Sequence, residues 1–188
     1  MRELIADLFI SLDGFASGVN QPAYFGYFGQ ELGLWVRDRL AEPQVLLMGR
    51  ITYELLAGFS ASAHDELSAR MTELPKLVFS GKLHEPLLWK NTHLLSGAVA
   101  EEVKALKQRE GNPLRTIGSL SLVKSLVQQG LVDRVRLMVF PLLLGGAGRE
   151  PIFAGYGQTR LELIQTKVLD SRLVMLEYRP HTEPHSVQ

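Results

Sequence analysis

The order of elements along the chain predicts an α/β sandwich, a mainly parallel sheet with an antiparallel edge. Two observations carry this reading. Short apolar runs alternate with helical periodicities for most of the length, and the last apolar runs then follow one another with no helix between them. A third observation sets the scale. With 188 residues, 46% hydrophobic and 21% charged, the chain suits one globular domain, placed at 1–180, with a polar tail at 181–188.

Residues 4–12 are rich in Leu, Ile and Phe and run into Asp13-Gly14, a strand closed by a turn signal. The segment 15–29 combines glycines with Tyr24, Phe25, Tyr27 and Phe28, too aromatic for a plain linker and suited to line or cover a pocket. Leu32, Val36 and Leu40 repeat every four residues and predict a helix over 30–40. Beyond Pro43, residues 44–48 read as a second buried strand. Gly49-Arg50-Ile51-Thr52 then turns into a short helix to about Leu56.

A helix over 65–74 stops at Pro75, followed by strands at 76–79 and 92–95. Residues 98–108 form a helix ended by Gly111-Asn112-Pro113. Residues 114–117 form a strand entering Gly118-Ser119, and 120–129 a helix closed by Gly130. Residues 133–144 are the longest strand expected, with apolar residues on both faces. After a glycine-rich loop, 161–169 and 173–178 flank Asp170-Ser171-Arg172 as an antiparallel hairpin.

Composition excludes several function classes. Lysine plus arginine equals aspartate plus glutamate, 20 each, so no basic field favours nucleic acid or an anionic membrane. There is no cysteine, hence no disulfide, thiol nucleophile or cysteine-held metal. His64, His84, His93, His181 and His185 show no metal-like spacing, and no metal is expected. Glu3 and Asp7 interrupt the apolar N-terminus, a poor signal peptide, and no segment is long enough to cross a bilayer. A cytoplasmic location is the expectation.

Ligands in open α/β sheets sit at the carboxyl ends of the strands, which directs attention to the turns there. Gly118-Ser119 lets the backbone approach an anion, with free amides at the following helix start. Ser119 is either a hydroxyl donor to that anion or an ordinary N-cap. Gly49-Arg50-Ile51-Thr52 repeats the strand–glycine–helix geometry with an arginine suited to phosphate. Two such turns in one domain favour a pyrophosphate-bearing ligand. Neither is a G-x-G-x-x-G fingerprint, and no Walker loop or G-x-S-x-G elbow is present. Asp13, at the end of the first strand, is either a substrate-binding carboxylate or a turn former. Glu31, Trp35 and Asp38 share one helical stripe.

Taken together, Ser11-Leu12-Asp13-Gly14, Leu47-Met48-Gly49-Arg50-Ile51-Thr52-Tyr53-Glu54, Lys76-Leu77-Val78-Phe79-Ser80, Ile117-Gly118-Ser119 and Gly130-Leu131-Val132-Asp133 resemble, in order and spacing, the dihydrofolate-reductase-like superfamily. They are most similar to stand-alone forms of the reductase domain of the bifunctional riboflavin-biosynthesis deaminase-reductase, across residues 2–179. The resemblance implies a three-layer sandwich around a sheet of about eight strands, NADPH across the strand ends, and a homodimer. By position it assigns Gly49, Arg50 and Thr52 to the cofactor phosphates, and Gly118, Ser119 and Leu120 to the pyrophosphate. Ser80 falls near the adenosine ribose and its 2′-phosphate. The family often has arginine directly after that serine; here Gly81 and Lys82 follow, so Lys82 supplies a point charge instead of a fork.

The function expected is an NADPH-dependent reductase of a pteridine- or aminopyrimidine-like heterocycle, with Asp13 as the catalytic or acceptor-binding residue and the aromatic loop packed over the ring. The alternatives are a catalytically inactive nucleotide-binding or interaction module on the same fold and, below it, a structural dimer without cofactor.

Overall fold

The computed structural model describes residues 1–62 and 65–181. His64, His185 and nearly all of the expected tail lie outside the described residues. Ten strands and five α-helices are defined: β1 Leu4–Ser11, β2 Phe15–Gly18, α1 Gln30–Ala41, β3 Val45–Gly49, α2 Arg50–Ser62, α3 Glu66–Glu73, β4 Lys76–Phe79, β5 Thr92–Leu95, α4 Val99–Gln108, β6 Leu114–Ile117, α5 Leu120–Gln128, β7 Arg134–Phe140, β8 Gly148–Pro151, β9 Leu161–Leu169 and β10 Leu173–Pro180.

Eight of these strands form one sheet in the order β5-β4-β3-β6-β1-β7-β10-β9. Pairings from β5 to β7 are parallel, and β10 pairs antiparallel with both β7 and β9, as the expected edge requires. Helices cover both faces of this sheet, the layered sandwich that the sequence predicts.

Strand alternation sorts side chains between the two outer layers. Leu4, Ala6, Leu8 and Ile10 of β1 pack with Val103 of α4 and Leu122, Val123 and Leu126 of α5. On the opposite face Phe9, Met138 and Phe140 meet Leu32 and Trp35 of α1. Leu46 and Met48 of β3 pack with Tyr53 of α2, and α3 lies against α1 and α2.

Lys76 is fully buried in this layer. Its ammonium donates to the carbonyls of Met71, Thr72 and Leu74, closing the C-terminus of α3. It also lies over the Trp89 ring, 4.6 Å from the centroid.

The main differences from the sequence reading are at β2, β8, β7 and α2. β2 and β8, expected as loop, form a separate two-stranded sheet, Phe15 opposite Pro151 and Ser17 opposite Arg149. Four-residue strands made of small and polar residues carry no periodic signal. β7 stops at Phe140 instead of continuing to Leu144, because Pro141 has no N–H for the ladder. α2 continues to Ser62, well past Leu56, its interior Gly58 costing about 1 kcal/mol without ending the helix. Among the described residues, no helix is long and apolar enough to cross a membrane.

Candidate active site

Because β3 and β6 are neighbours, with Leu47 opposite Thr116, their two glycine turns meet at the carboxyl edge of the sheet. The Ser119 hydroxyl accepts from the Gly49 amide at 2.6 Å and lies 2.8 Å from the Thr52 hydroxyl. A Cβ on Gly49 would sit 2.9 Å from Ser119 Oγ, and one on Gly118 would sit 3.0 Å from Thr52. Gly118 and Ser119 both have φ of 62°, left-handed backbone that costs a serine about 1–2 kcal/mol. Ser119 occupies the N-cap of α5, but its side chain makes no capping bond. The hydroxyl is turned toward β3, and among the described residues no side chain accepts from the first-turn amides of α5.

The remaining residues expected to hold a cofactor surround this junction. Arg50 opens α2 and donates to both carboxylate oxygens of Glu54, one turn on, at 3.0 and 2.7 Å. Leu120 opens α5 and packs half-buried against the core. One strand further out, the Ser80 hydroxyl accepts from the amides of Lys82 and Leu83 at 3.0 and 3.1 Å, shaping the turn after β4. The Lys82 side chain is exposed on that rim.

Next to the junction, a cavity of about 260 Å³ opens between α1 and strands β1 and β6. Phe9, Tyr24, Trp35, Val36 and Ile117 form its walls, Gly118 and Leu120 its rim, and Asp7 and Arg115 its polar floor. Tyr24 and Phe25 both adopt left-handed φ, 53° and 50°, a conformation costly for bulky residues. It brings the Tyr24 ring to 5.4 Å from Phe9 and 4.9 Å from Phe28. Burial pushes the Tyr24 hydroxyl above the ordinary tyrosine range.

The floor belongs to a row of charges across the sheet. Asp7 of β1 lies opposite Arg136 of β7, which lies opposite Glu177 of β10. Arg136 and Glu177 pair at 3.3 Å, and Arg134 reaches Glu177 at 3.0 Å and also pairs with Glu3. The Arg115 Nε bonds the Asp7 carboxylate, and Nη1 donates to Gln44 at 3.3 Å. Asp7 and Arg115 are therefore functional candidates that motif reading missed. Their signal was present as charges interrupting two otherwise apolar strands.

The position of Trp35 depends on a cap supplied from the other end of the chain. Asp170, in the β9–β10 turn, accepts from the amides of Glu31 and Leu32 at 2.9 and 3.1 Å, and the Glu31 carboxylate accepts from the Asp170 amide. Gly29 leaves room for this, since a Cβ there would lie 2.3 Å from the Asp170 carboxylate. The expected stripe on α1 thus divides. Glu31 caps the helix, Trp35 enters the cavity, and Asp38 is exposed beside Arg37.

Asp13 lies outside the cavity lining. One oxygen accepts from Ser11 Oγ at 2.7 Å; the other accepts from the amides of Leu144 and Gly145 at 3.0 and 2.8 Å. These bonds, the one from Ser11 foremost, hold the carboxyl below the usual aspartate range. The geometry is that of a turn carboxylate tying the β1–β2 turn to the loop after β7. A larger cavity, about 810 Å³, lies among α1, α3 and the end of α2, and its described lining includes none of the glycine turns.

Two glycine turns that lead into helices thus stand beside an aromatic cavity at the carboxyl ends of the parallel strands, in a dihydrofolate-reductase-like fold. Within it, the chain belongs to the family of RibD C-terminal domains, whose model matches residues 2–175. The chain is also 28% identical over 183 residues to the uncharacterized protein YyaP of Bacillus subtilis, covering 94% of each. Among solved structures, a putative riboflavin biosynthesis protein from Shewanella sp. PV-4 superposes with a TM-score of 0.71 at 20% identity, over 95% of this chain and 99% of that one. The dihydrofolate reductase of Enterococcus faecalis, complexed with NADP(H), gives 0.64 at 13% identity, over 95% and 96%. These two likenesses bear on the fold; the family match places the chain among reductase-like proteins.

Proposed function

We propose that this protein is an NADPH-dependent reductase of a pteridine- or aminopyrimidine-like heterocycle. The observation that carries the reading is the junction of Gly49, Thr52, Gly118 and Ser119 directly against the aromatic cavity. Uncapped first-turn amides of α5 beside a left-handed glycine fit a pyrophosphate, which needs N–H donors and close backbone approach. Arg50 adds charge from α2, and Ser80 and Lys82 are the residues assigned to the 2′-phosphate on this proposal.

When bound, NADPH supplies the hydride. The chain's own residues position the acceptor: Phe9, Tyr24 and Trp35 hold a flat ring and exclude water. Asp13 fixes the loop after β7.

The protein acts, on this proposal, as a homodimer. β9 is an exposed edge strand carrying Leu161, Leu163, Ile164 and Val168 on its surface, next to the exposed Val174 of β10. Light scattering of Val168→Lys tests this, with a monomer expected where the parent chain is a dimer.

The activity test is NADPH oxidation, followed by absorbance, against a panel of reduced and oxidised pterins, aminopyrimidines and quinones. Turnover of at least one ring supports the reading. NADPH binding with no turnover of any ring would favour the inactive nucleotide-binding module.

A further inference from the structure

We propose that Arg115 is the residue that selects the acceptor, by donating to a ring carbonyl oxygen, and that Asp7 is the positioning residue behind it. This rests on the reading that the aromatic cavity receives the acceptor.

The guanidinium is built into the sheet. Arg115 stands on β6 with its side chain 13% exposed, its Nε committed to Asp7 and its Nη1 to Gln44. The Trp35 ring lies over it, 5.8 Å from the guanidinium carbon. Among the described residues Nη2 makes no hydrogen bond, and it is not among the fully buried unpaired atoms. It is a donor held in place and left open.

Asp7 cannot play the complementary part. One carboxylate oxygen is taken by Arg115; the other is buried, without a hydrogen-bond partner, and lies 3.8 Å from Arg136 Nη1. The charged pair on the floor therefore presents the Arg115 donor, while neither oxygen of Asp7 is open as an acceptor. A flat ring seated between Phe9, Tyr24 and Trp35 meets that donor with its edge. An edge carrying a carbonyl oxygen gains a charge-assisted bond, whereas an edge with amino groups in place of the carbonyls sets N–H against N–H at those positions and leaves only the ring nitrogens between them to accept. Arginine suits this role because its planar fork of donors is fixed by two partners.

Calorimetric titration with two matched rings tests the proposal at a pH where both are neutral. The probes are 6-aminouracil, which bears ring carbonyls, and 2,4,6-triaminopyrimidine, in which amino groups replace them. The expected result is about tenfold or greater preference for 6-aminouracil in the native protein. Arg115→Met abolishes this preference and leaves the NADPH Kd unchanged. Asp7→Asn weakens 6-aminouracil, and restoring the charge with Asp7→Glu recovers part of the loss, which a purely structural role would not produce.

Equal binding of the two rings, a preference for the triamine, or unaltered preference in Arg115→Met would overturn the assignment. The native-protein comparison decides the matter even if a variant fails to fold. The cofactor reading fails separately: a protein that prefers 6-aminouracil yet binds no NADPH keeps the Arg115 assignment and loses the reductase.

Discussion

The hydroxyl of Ser119 accepts a hydrogen bond from the Gly49 amide across two neighbouring strands, 70 residues apart in sequence. One side chain thereby fixes the distance between the starts of α2 and α5. Ser119→Ala keeps the left-handed backbone and leaves the Gly49 amide without its partner, a loss of about 1–3 kcal/mol. Ser119→Gly loses the same bond but relieves the backbone, so it should be the more stable of the two by about 1 kcal/mol. Chemical denaturation ranks them, and both should weaken NADPH about tenfold by fluorescence titration.

The cap that Asp170 provides to α1 predicts a separation of effects. Asp170→Ala removes acceptors from the amides of Glu31 and Leu32 and should cost about 1–2 kcal/mol. Because α1 carries Trp35 and neither glycine turn, the variant should raise the KM for the acceptor several-fold and leave NADPH affinity nearly unchanged. Steady-state kinetics with each substrate varied in turn checks this.

Lys76 predicts an unusual alkaline behaviour. Burial pushes its ammonium down to about 8. Its folded value thus lies below its unfolded one, and between the two the unfolded chain binds more protons. Its contribution makes stability rise as pH increases from about 8 toward the ordinary lysine range. Lys76→Met should remove that rise, and should cost about 2–4 kcal/mol by stripping three carbonyls of their donor. Urea midpoints measured across this pH range test both parts.

On the acid side, Asp13 and Asp65 are held below the usual carboxylate range, Asp13 chiefly by Ser11 and Asp65 chiefly by the Ser68 amide. A lowered folded pKa contributes stability that is complete above the ordinary value and is lost as pH falls through the lowered one. Thermal midpoints should therefore drop as the solution is acidified below about pH 4. Asp13→Asn should show a shallower drop than the parent chain.

Elements with strong periodicity or firm punctuation were legible in the sequence. α1 was marked by Leu32, Val36 and Leu40, β4 by its apolar run after Pro75, and the β9–β10 hairpin by its turn. The positions of the two glycine turns were legible as well, because Gly49 and Gly118 each stand between an apolar run and a helical periodicity. What stayed hidden depends on pairing across the chain. Asp13 and Gly145 are 132 positions apart, so nothing local showed that the carboxylate was already engaged. Asp7 and Arg115 are 108 apart, and each alone looks like a stray charge in a strand. β2 and β8 each depend on the other, and neither carries enough apolar pattern to be seen alone.

The most direct test of the central claim is a titration of the purified protein with NADPH and NADH, following nicotinamide fluorescence and the thermal midpoint, with Gly118→Ala as control. Its added Cβ would meet Thr52 at 3.0 Å in a left-handed backbone. The account predicts saturable NADPH binding with a stabilisation of about 2.7 kcal/mol at a hundred times its Kd, weaker binding of NADH, and loss of both in Gly118→Ala. Failure of the parent chain to bind either nucleotide would contradict it.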